Sequence, residues 1–249
     1  MRILAAILMV GFLALCSGTV GAQTPVTLHV EGSVLFKCLV GLPYDYDADS
    51  GRSYPLVVGL HGYGSNAEHF FIAGKLFAEA GIIYAVPQAP YTFLGSNGLG
   101  YSWSLRSTDD QAASDRSSVL TIDYVVEVVE NLKEQYQVSD VYLFGFSQGG
   151  AYTYMTGLEN PELFAGLIAF GSRFDPEWFT EETLTAASGL PIFIGHGEQD
   201  AGISIQAAQE GKRILEAFDY DVTYHAFDTG HMIPVDALRV AVDWIQRQQ

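Results

Sequence analysis

The sequence predicts an α/β fold: a doubly wound, mainly parallel sheet with helices on both faces. Three observations carry this. After an opening pair of strands, short apolar runs alternate with longer segments of helical periodicity to the end of the chain. Several of those runs, such as 55–60 and 141–144, are continuously apolar or aromatic, as strands covered on both faces must be. Finally, 249 residues that are 49% hydrophobic, with no internal repeat, low-complexity tract or linker, suffice for one sizeable core and no more.

Taken in order, residues 26–30 and 33–42 alternate or run apolar and predict two opening strands, joined as a hairpin through Glu31-Gly32. Residues 44–52 are acidic with a glycine and predict a loop. Residues 55–61 predict a central buried strand. Asn66 is placed to cap a helix over 67–80 that Gly81 closes, and 81–87 returns as a strand. Residues 87–108, rich in Gly, Ser, Asn and aromatics, predict a long irregular loop of the kind that carries function in a compact domain. Residues 109–136 predict a long helix with Ile122, Val125, Val126, Val129 and Leu132 on one stripe. Beyond the segment around Ser147 come strands at 166–170, 191–195 and 222–227. Helices are predicted from Asp175-Pro176 to about 187, over 204–218, and from Pro234 to 244.

The stretch Val141-Tyr142-Leu143-Phe144-Gly145-Phe146-Ser147-Gln148-Gly149-Gly150 organises the chain. A strand, the pattern Gly-x-Ser-x-Gly and a helix in succession are the context of a nucleophile elbow. The glycines are needed because side chains two positions either side of the serine would strike neighbouring strands. Ser147 would then stand above the sheet edge, beneath the amides of a helix start. With 26 glycines in the chain, the pattern alone could arise by chance, and the context is what raises it.

A serine hydroxyl is a poor nucleophile without a base, and the base needs an orienting group. His231, in Thr229-Gly230-His231-Met232 just past the last strand, falls at the same carboxyl edge as Ser147. His29 and His225 fall inside strands and His69 in a helix, where packing or surface roles suit them better. For the acid, Asp200 follows the penultimate strand in Gly195-His196-Gly197-Glu198-Gln199-Asp200. Asp175 is its rival, because it also fits the order Ser, Asp, His. Asp228 better suits shaping the histidine loop, and His196 a hydrogen-bonded structural role. Acyl transfer also needs donors for the developing oxyanion. The N–H of Gln148 is one, and that of Tyr63, in the glycine-flanked turn His61-Gly62-Tyr63-Gly64, is the second.

Other chemistries lack their signatures. No His-Glu-x-x-His, paired Cys-x-x-Cys or phosphate-loop Gly-Lys-Ser/Thr occurs, so no metal and no cofactor is expected. A net charge of −17 argues against nucleic acid, anionic membrane surfaces and polyphosphates as partners, leaving a small-molecule substrate. Arg2, an apolar run over 3–15 and Val20-x-Ala22 predict a secretory signal peptide over 1–22, with 23–249 as the catalytic domain. Leu13-Ala14-Leu15-Cys16 approaches a lipobox, but Leu15 stands where such signals carry a small residue, so soluble export, secreted or periplasmic, is preferred to a lipid anchor at Cys16. Cleavage would leave Cys38 alone, a structural thiol without an internal disulfide.

The motifs Leu-His-Gly-Tyr-Gly at 60–64, Pro-Gln-Ala-Pro at 87–90, Trp103, Gly-Phe-Ser-Gln-Gly-Gly, His-Gly-x-x-Asp and Gly-His231 occur in this order over essentially the whole mature chain. Together they resemble the α/β-hydrolase superfamily, and most closely its phospholipase/carboxylesterase branch, which includes the acyl-protein thioesterases. The resemblance implies Ser147, Asp200 and His231 as a triad, Tyr63 and Gln148 as oxyanion donors, and hydrolysis through an acyl-enzyme. The export signal departs from the intracellular thioesterases of that branch.

Only 171–190 separates two successive strands where this superfamily often inserts a lid, so no large lid domain is expected. The pocket wall falls to the loop 87–108, with Tyr91, Phe93, Leu94, Tyr101 and Trp103 as its apolar residues, and to Met232. Such a pocket is open and suits short- to medium-chain carboxylic esters. Feruloyl-type or polyester-depolymerase activity, lysophospholipase or thioesterase activity, and a non-catalytic binding protein of the same fold are the alternatives. A binding protein would need neither the serine nor its partners.

Overall fold

The computed structural model describes residues 34–95, 98–105 and 110–249. Seven strands form one sheet: β1 (Cys38–Gly41), β2 (Tyr54–Leu60), β3 (Ile83–Pro87), β6 (Val138–Phe146), β7 (Gly166–Phe170), β8 (Ile192–Gly197) and β9 (Val222–Phe227), in the order β1-β3-β2-β6-β7-β8-β9. β1 runs antiparallel to β3, and every other pairing in the sheet is parallel. The missing members of the count, β4 (Tyr91–Gly95) and β5 (Gly98–Ser102), form a separate antiparallel hairpin.

Residues alternate between the faces of a strand, and here each face meets its own set of helices. Leu56, Val58, Leu143, Leu167, Ala169, Ile192 and Ile194 face one side. There they pack on α3 (Gln111–Gln135), α4 (Gln148–Glu159), α5 (Glu181–Ala186) and α6 (Ile205–Ala217). Tyr84, Tyr142, Phe144, Ile168, Phe170 and Phe193 face the other. That side is covered by α1 (Ala67–Phe71), α2 (Gly74–Glu79) and α7 (Val235–Gln248). One face is thus aliphatic and the other largely aromatic, a difference the uniformly apolar strands conceal. The expected doubly wound sheet with helices on both faces is what forms.

Several local expectations are corrected. The helix over 67–80 is two, broken at Ile72-Ala73, although Asn66 caps its start as expected by accepting the His69 N–H at 2.8 Å. The break precedes Gly74, a poor helix former lying against the Tyr84 ring. The helix over 175–187 is likewise divided. Asp175 caps a 3₁₀ turn at Pro176–Trp178, Phe179 is extended with its ring stacked on Phe174, and Thr180 caps α5 afresh. The loop over 87–108 is not irregular throughout, because β4 and β5 occupy its middle. The predicted strand over 26–30, its hairpin with 33–42 and the signal segment over 1–22 lie outside the described residues, and β1 begins at Cys38. Burial pushes the Cys38 thiol up to about 12, which keeps it protonated.

Between β7 and β8 the chain inserts only the 3₁₀ turn and the six-residue α5, so no large lid covers the carboxyl edge. The tightest point of the fold is the junction of β6 and α4. A Cβ on Gly149 would overlap the backbone carbonyl of Leu60, which cannot move without disrupting β2. Gly149→Ala is therefore expected to destabilise by at least about 3 kcal/mol, the upper range for overpacking. Gly189→Ala, where a Cβ meets nothing within 4 Å, is expected to be neutral or slightly stabilising. Urea unfolding of the two variants checks this, and equal midpoints would contradict it.

Candidate active site

β6 delivers Ser147 from the centre of the sheet. Tyr142, Leu143 and Phe144 are fully buried, and the strand ends at Phe146 in a turn that gives Ser147 φ 55° and ψ −116°. A positive φ in a non-glycine residue is strained. The Ser147 N–H holds the turn by donating to the Phe170 carbonyl of β7 at 2.9 Å.

The ends of β8 and β9 bring the partners. His231 Nε2 lies 2.9 Å from Ser147 Oγ, and His231 Nδ1 lies 2.6 Å from Asp200 Oδ2. A carboxylate only accepts, so Nδ1 carries the proton and Nε2 is left to accept from the serine hydroxyl. Asp200 Oδ1 accepts from the N–H groups of Gly202 and Ile203, each at 2.8 Å. Burial pushes the Asp200 carboxyl up, but the Ile203 N–H, the His231 imidazole and the Gly202 N–H outweigh it, and the group lies below its ordinary value. The acid therefore stays ionised and holds the imidazole in one tautomer.

The other sequence candidates separate clearly. Asp175 is taken up as a cap, accepting from the Glu177 N–H at 3.2 Å, and pairs with Arg173. His225 is stacked between Phe193 and Phe227 within β9. His196 is buried, and its Nε2 donates to the Ile203 carbonyl at 2.8 Å, a structural role that also pins the Asp200 loop. Asp228 accepts from the Gln199 side chain, tying the histidine loop to the acid loop. Backbone bonds from Glu198 N to Phe227 O and from Gln199 N to Thr229 O close the same seam. Gln199 was not singled out from the sequence, and its exposed, unremarkable context offered no signal.

Both oxyanion candidates flank the serine. Gln148 opens α4, so its N–H belongs to the first-turn amides that have no partner inside a helix. The turn over 61–64 packs against Ser147, since a Cβ on Gly62 would lie 3.5 Å from Ser147 Cβ. His61 beneath it is fully buried. Its Nδ1 donates to the Gly62 carbonyl at 2.9 Å, and its Nε2 accepts from the Ala89 N–H at 3.3 Å and contacts Gln88 Nε2 at 3.0 Å. Burial lowers its pKa to about 4, against smaller upward pulls from the Gly62 carbonyl and Glu68.

One site expectation is overturned. Trp103 does not line an open pocket, because it is fully buried with its indole N–H donated to the His61 carbonyl at 2.7 Å. Exposed apolar side chains include Leu94 and Leu99 on the hairpin, Leu105 just beyond it, Met232 beside His231, and Tyr63, whose ring stacks on Phe93.

This geometry sits in a chain whose residues 48–249 match the model of the Phospholipase/Carboxylesterase family. The chain belongs to that family. It is similar to a probable carboxylesterase of Oryza sativa subsp. japonica, 24% identical over 225 residues and 82% of each chain. It is also similar to acyl-protein thioesterase 1 of Kluyveromyces lactis, 25% identical over 67% of this chain and 80% of that one. Among solved structures, esterase PE8 superposes with a TM-score of 0.70 at 25% identity, over 87% of this chain and all of that one. The protein is accordingly a hydrolase of the carboxylesterase/thioesterase type.

Asp200→Asn is expected to lower hydrolytic turnover by about 10⁴, the scale seen when an orienting carboxylate is lost. Asp175→Asn, which alters only a cap, should stay within about threefold of wild type on the same scale of comparison. Steady-state kinetics of both variants on one ester tests the assignment, and the opposite ranking would move the acid to Asp175.

Proposed function

We propose that the protein is an exported serine esterase that hydrolyses short- to medium-chain carboxylic esters through Ser147, His231 and Asp200. The observation that carries this is the unbroken hydrogen-bonded line from Asp200 Oδ2 through His231 to Ser147 Oγ, with the serine on a strained strand-to-helix turn. A serine 2.9 Å from an oriented imidazole nitrogen can transfer its proton there as it attacks an acyl carbon. The tetrahedral oxyanion then faces the N–H groups of Tyr63 and Gln148. His231 returns the proton to the departing alcohol, leaving an acyl-enzyme. The imidazole next takes a proton from water as the oxygen attacks the acyl carbon, then returns it to the departing Ser147 Oγ, which releases the acid and restores both residues.

The substrate range rests on the carboxyl edge. The β4–β5 hairpin lies beside it, through the Gly64–Tyr101 hydrogen bond and the Tyr63–Phe93 stack, in place of a lid domain, which suits small esters better than long acyl chains. The net charge of −17 opposes capture of anionic substrates such as coenzyme A thioesters, most strongly at low salt. A thioesterase reading is the second, favoured by the similarity to the Kluyveromyces lactis protein.

Ser147→Ala is expected to abolish ester hydrolysis and fluorophosphonate labelling together, with unchanged unfolding. On a panel of esters of increasing acyl length, kcat/KM should peak at short to medium chains and exceed that for the matching coenzyme A thioester, the gap narrowing as salt rises. Activity of Ser147→Ala within about tenfold of wild type would remove the nucleophile assignment. A peak at sixteen or more carbons, or a thioester preference at low salt, would remove the substrate assignment.

Export rests on the pattern over residues 1–22. In an exporting host the mature chain is expected to begin at Gln23. N-terminal sequencing checks this, and a lipidated Cys16 would overturn it.

A further inference from the structure

The two oxyanion donors come from segments far apart in the chain, and the sheet joins them only up to a point. Pairing of β2 with β6 ends at Leu60 and Gly145, short of both donors. Beyond it β2 turns into the 61–64 loop and β6 into the strained elbow. Anion stabilisation needs both N–H groups about 2.7–3.1 Å from one oxygen, so their separation has to be held by something past the end of that ladder.

Trp103 spans the gap. Its backbone N–H donates to Gln148 Oε1 at 3.1 Å, and its indole N–H donates to the His61 carbonyl at 2.7 Å. Its own carbonyl accepts from Thr121 Oγ1 of α3 at 2.6 Å. Each polar group of this fully buried residue thus goes to a different wall: the nucleophile helix, the oxyanion turn and the long helix behind them. The ring packs on the His61 and Tyr152 rings, with centroids 5.2 and 6.4 Å away. The Gln148 side chain is committed to the same segment, its Nε2 donating to Ser102 Oγ at 3.0 Å and Ser104 Oγ at 3.1 Å. With both ends of its amide engaged inside the protein, that side chain is a bracket.

We infer that Trp103 and the Gln148 side chain form a positioning strut that sets the separation of the Tyr63 and Gln148 N–H groups. The inference rests on the serine-esterase reading above and adds residues that touch no substrate. Breaking the strut leaves Ser147, His231, Asp200 and both backbone donors in the chain. It alters only where the donors stand, and a misplacement of about 1 Å can cost on the order of 10² in rate.

The test uses Trp103→Phe, which keeps the ring and deletes the indole donor, and Gln148→Met, which keeps the length and deletes the bracket. Active sites are counted by the end point of fluorophosphonate titration, so loss of folded protein does not enter kcat. Per titrated site, each variant is expected to lose about 10- to 100-fold in kcat with KM within about threefold. Affinity for an alkyl boronic acid, whose serine adduct is tetrahedral, should fall by the same factor as kcat/KM. The double variant should fall little further than either single one, because both break one strut. Per-site kcat within about twofold of wild type, or unchanged boronate affinity, overturns the inference. If Trp103→Phe fails to fold, Gln148→Met decides alone. A wild-type chain that the fluorophosphonate does not label overturns the esterase reading and this inference together, whereas labelled, Ser147-dependent wild type with unaffected variants sinks only the strut.

Discussion

Everything at the carboxyl edge depends on the conformation of one residue. Ser147 holds φ 55°, a cost on the order of 1–3 kcal/mol for a residue with a side chain. Such strain persists only where the surroundings over-determine it. β6 enters the turn from the middle of the sheet, paired with β2 on one side and β7 on the other. α4 leaves it pressed against the end of β2 so closely that position 149 has no room for a side chain. The serine is strained because two rigid elements meet there, and it is presented to the edge for the same reason.

The polar groups around the serine are buried in a way that fixes their charge. Asp200 sits among three donors, so its ionised form is favoured in spite of burial. His61 faces a carbonyl at Nδ1 and an N–H at Nε2, a pairing that only the neutral ring satisfies. Burial opposes charge on both residues; the bonds offered to Asp200 outweigh it and keep the carboxylate ionised, whereas those around His61 do not, and the ring stays neutral. In the proposed mechanism, a buried anion oriented toward His231 and a buried neutral ring beneath the 61–64 turn leave proton transfer to the His231 imidazole.

The fold class, the central strands and the line Ser147, His231, Asp200 were legible in the sequence because each rests on local chemistry. Glycines flank the serine, and the acid and base each follow a strand that a parallel sheet delivers to the same edge. What was not legible depends on distant partners. The break at Ile72-Ala73 and the extended Phe179 reflect packing against Tyr84 and Phe174, which periodicity does not register. The sequence assigns Trp103 to a pocket wall because, with no room for a large lid, that wall falls to the loop 87–108. Only the His61 carbonyl and the Thr121 hydroxyl, from elements on either side, explain its burial. Asp200 and Asp175 both follow strands, and the hydrogen bonds separate them, placing Asp200 against His231 and Asp175 in a cap.

The hairpin of β4 and β5 shows how such a site combines rigidity with access. A two-stranded hairpin is marginal alone, so its order must come from what it touches. Its contacts gather at the base: the Gly64 N–H donates to the Tyr101 carbonyl at 2.8 Å, Ser102 meets Gln148, and the Tyr91 hydroxyl reaches the Ser117 carbonyl at 3.3 Å. Phe93 stacks on Tyr63 midway along. Leu94 and Leu99, paired across the strands nearer the tip, are 85% and 60% exposed. The hairpin's polar contacts thus fall at the base, against the 61–64 turn and the start of α4, while the apolar surface of Leu94 and Leu99 stays in water. Leaving those leucines solvated forgoes burial worth about 25 cal/mol per Å². That forgone burial leaves apolar surface in water on the hairpin, while its base is tied down by backbone and side-chain bonds.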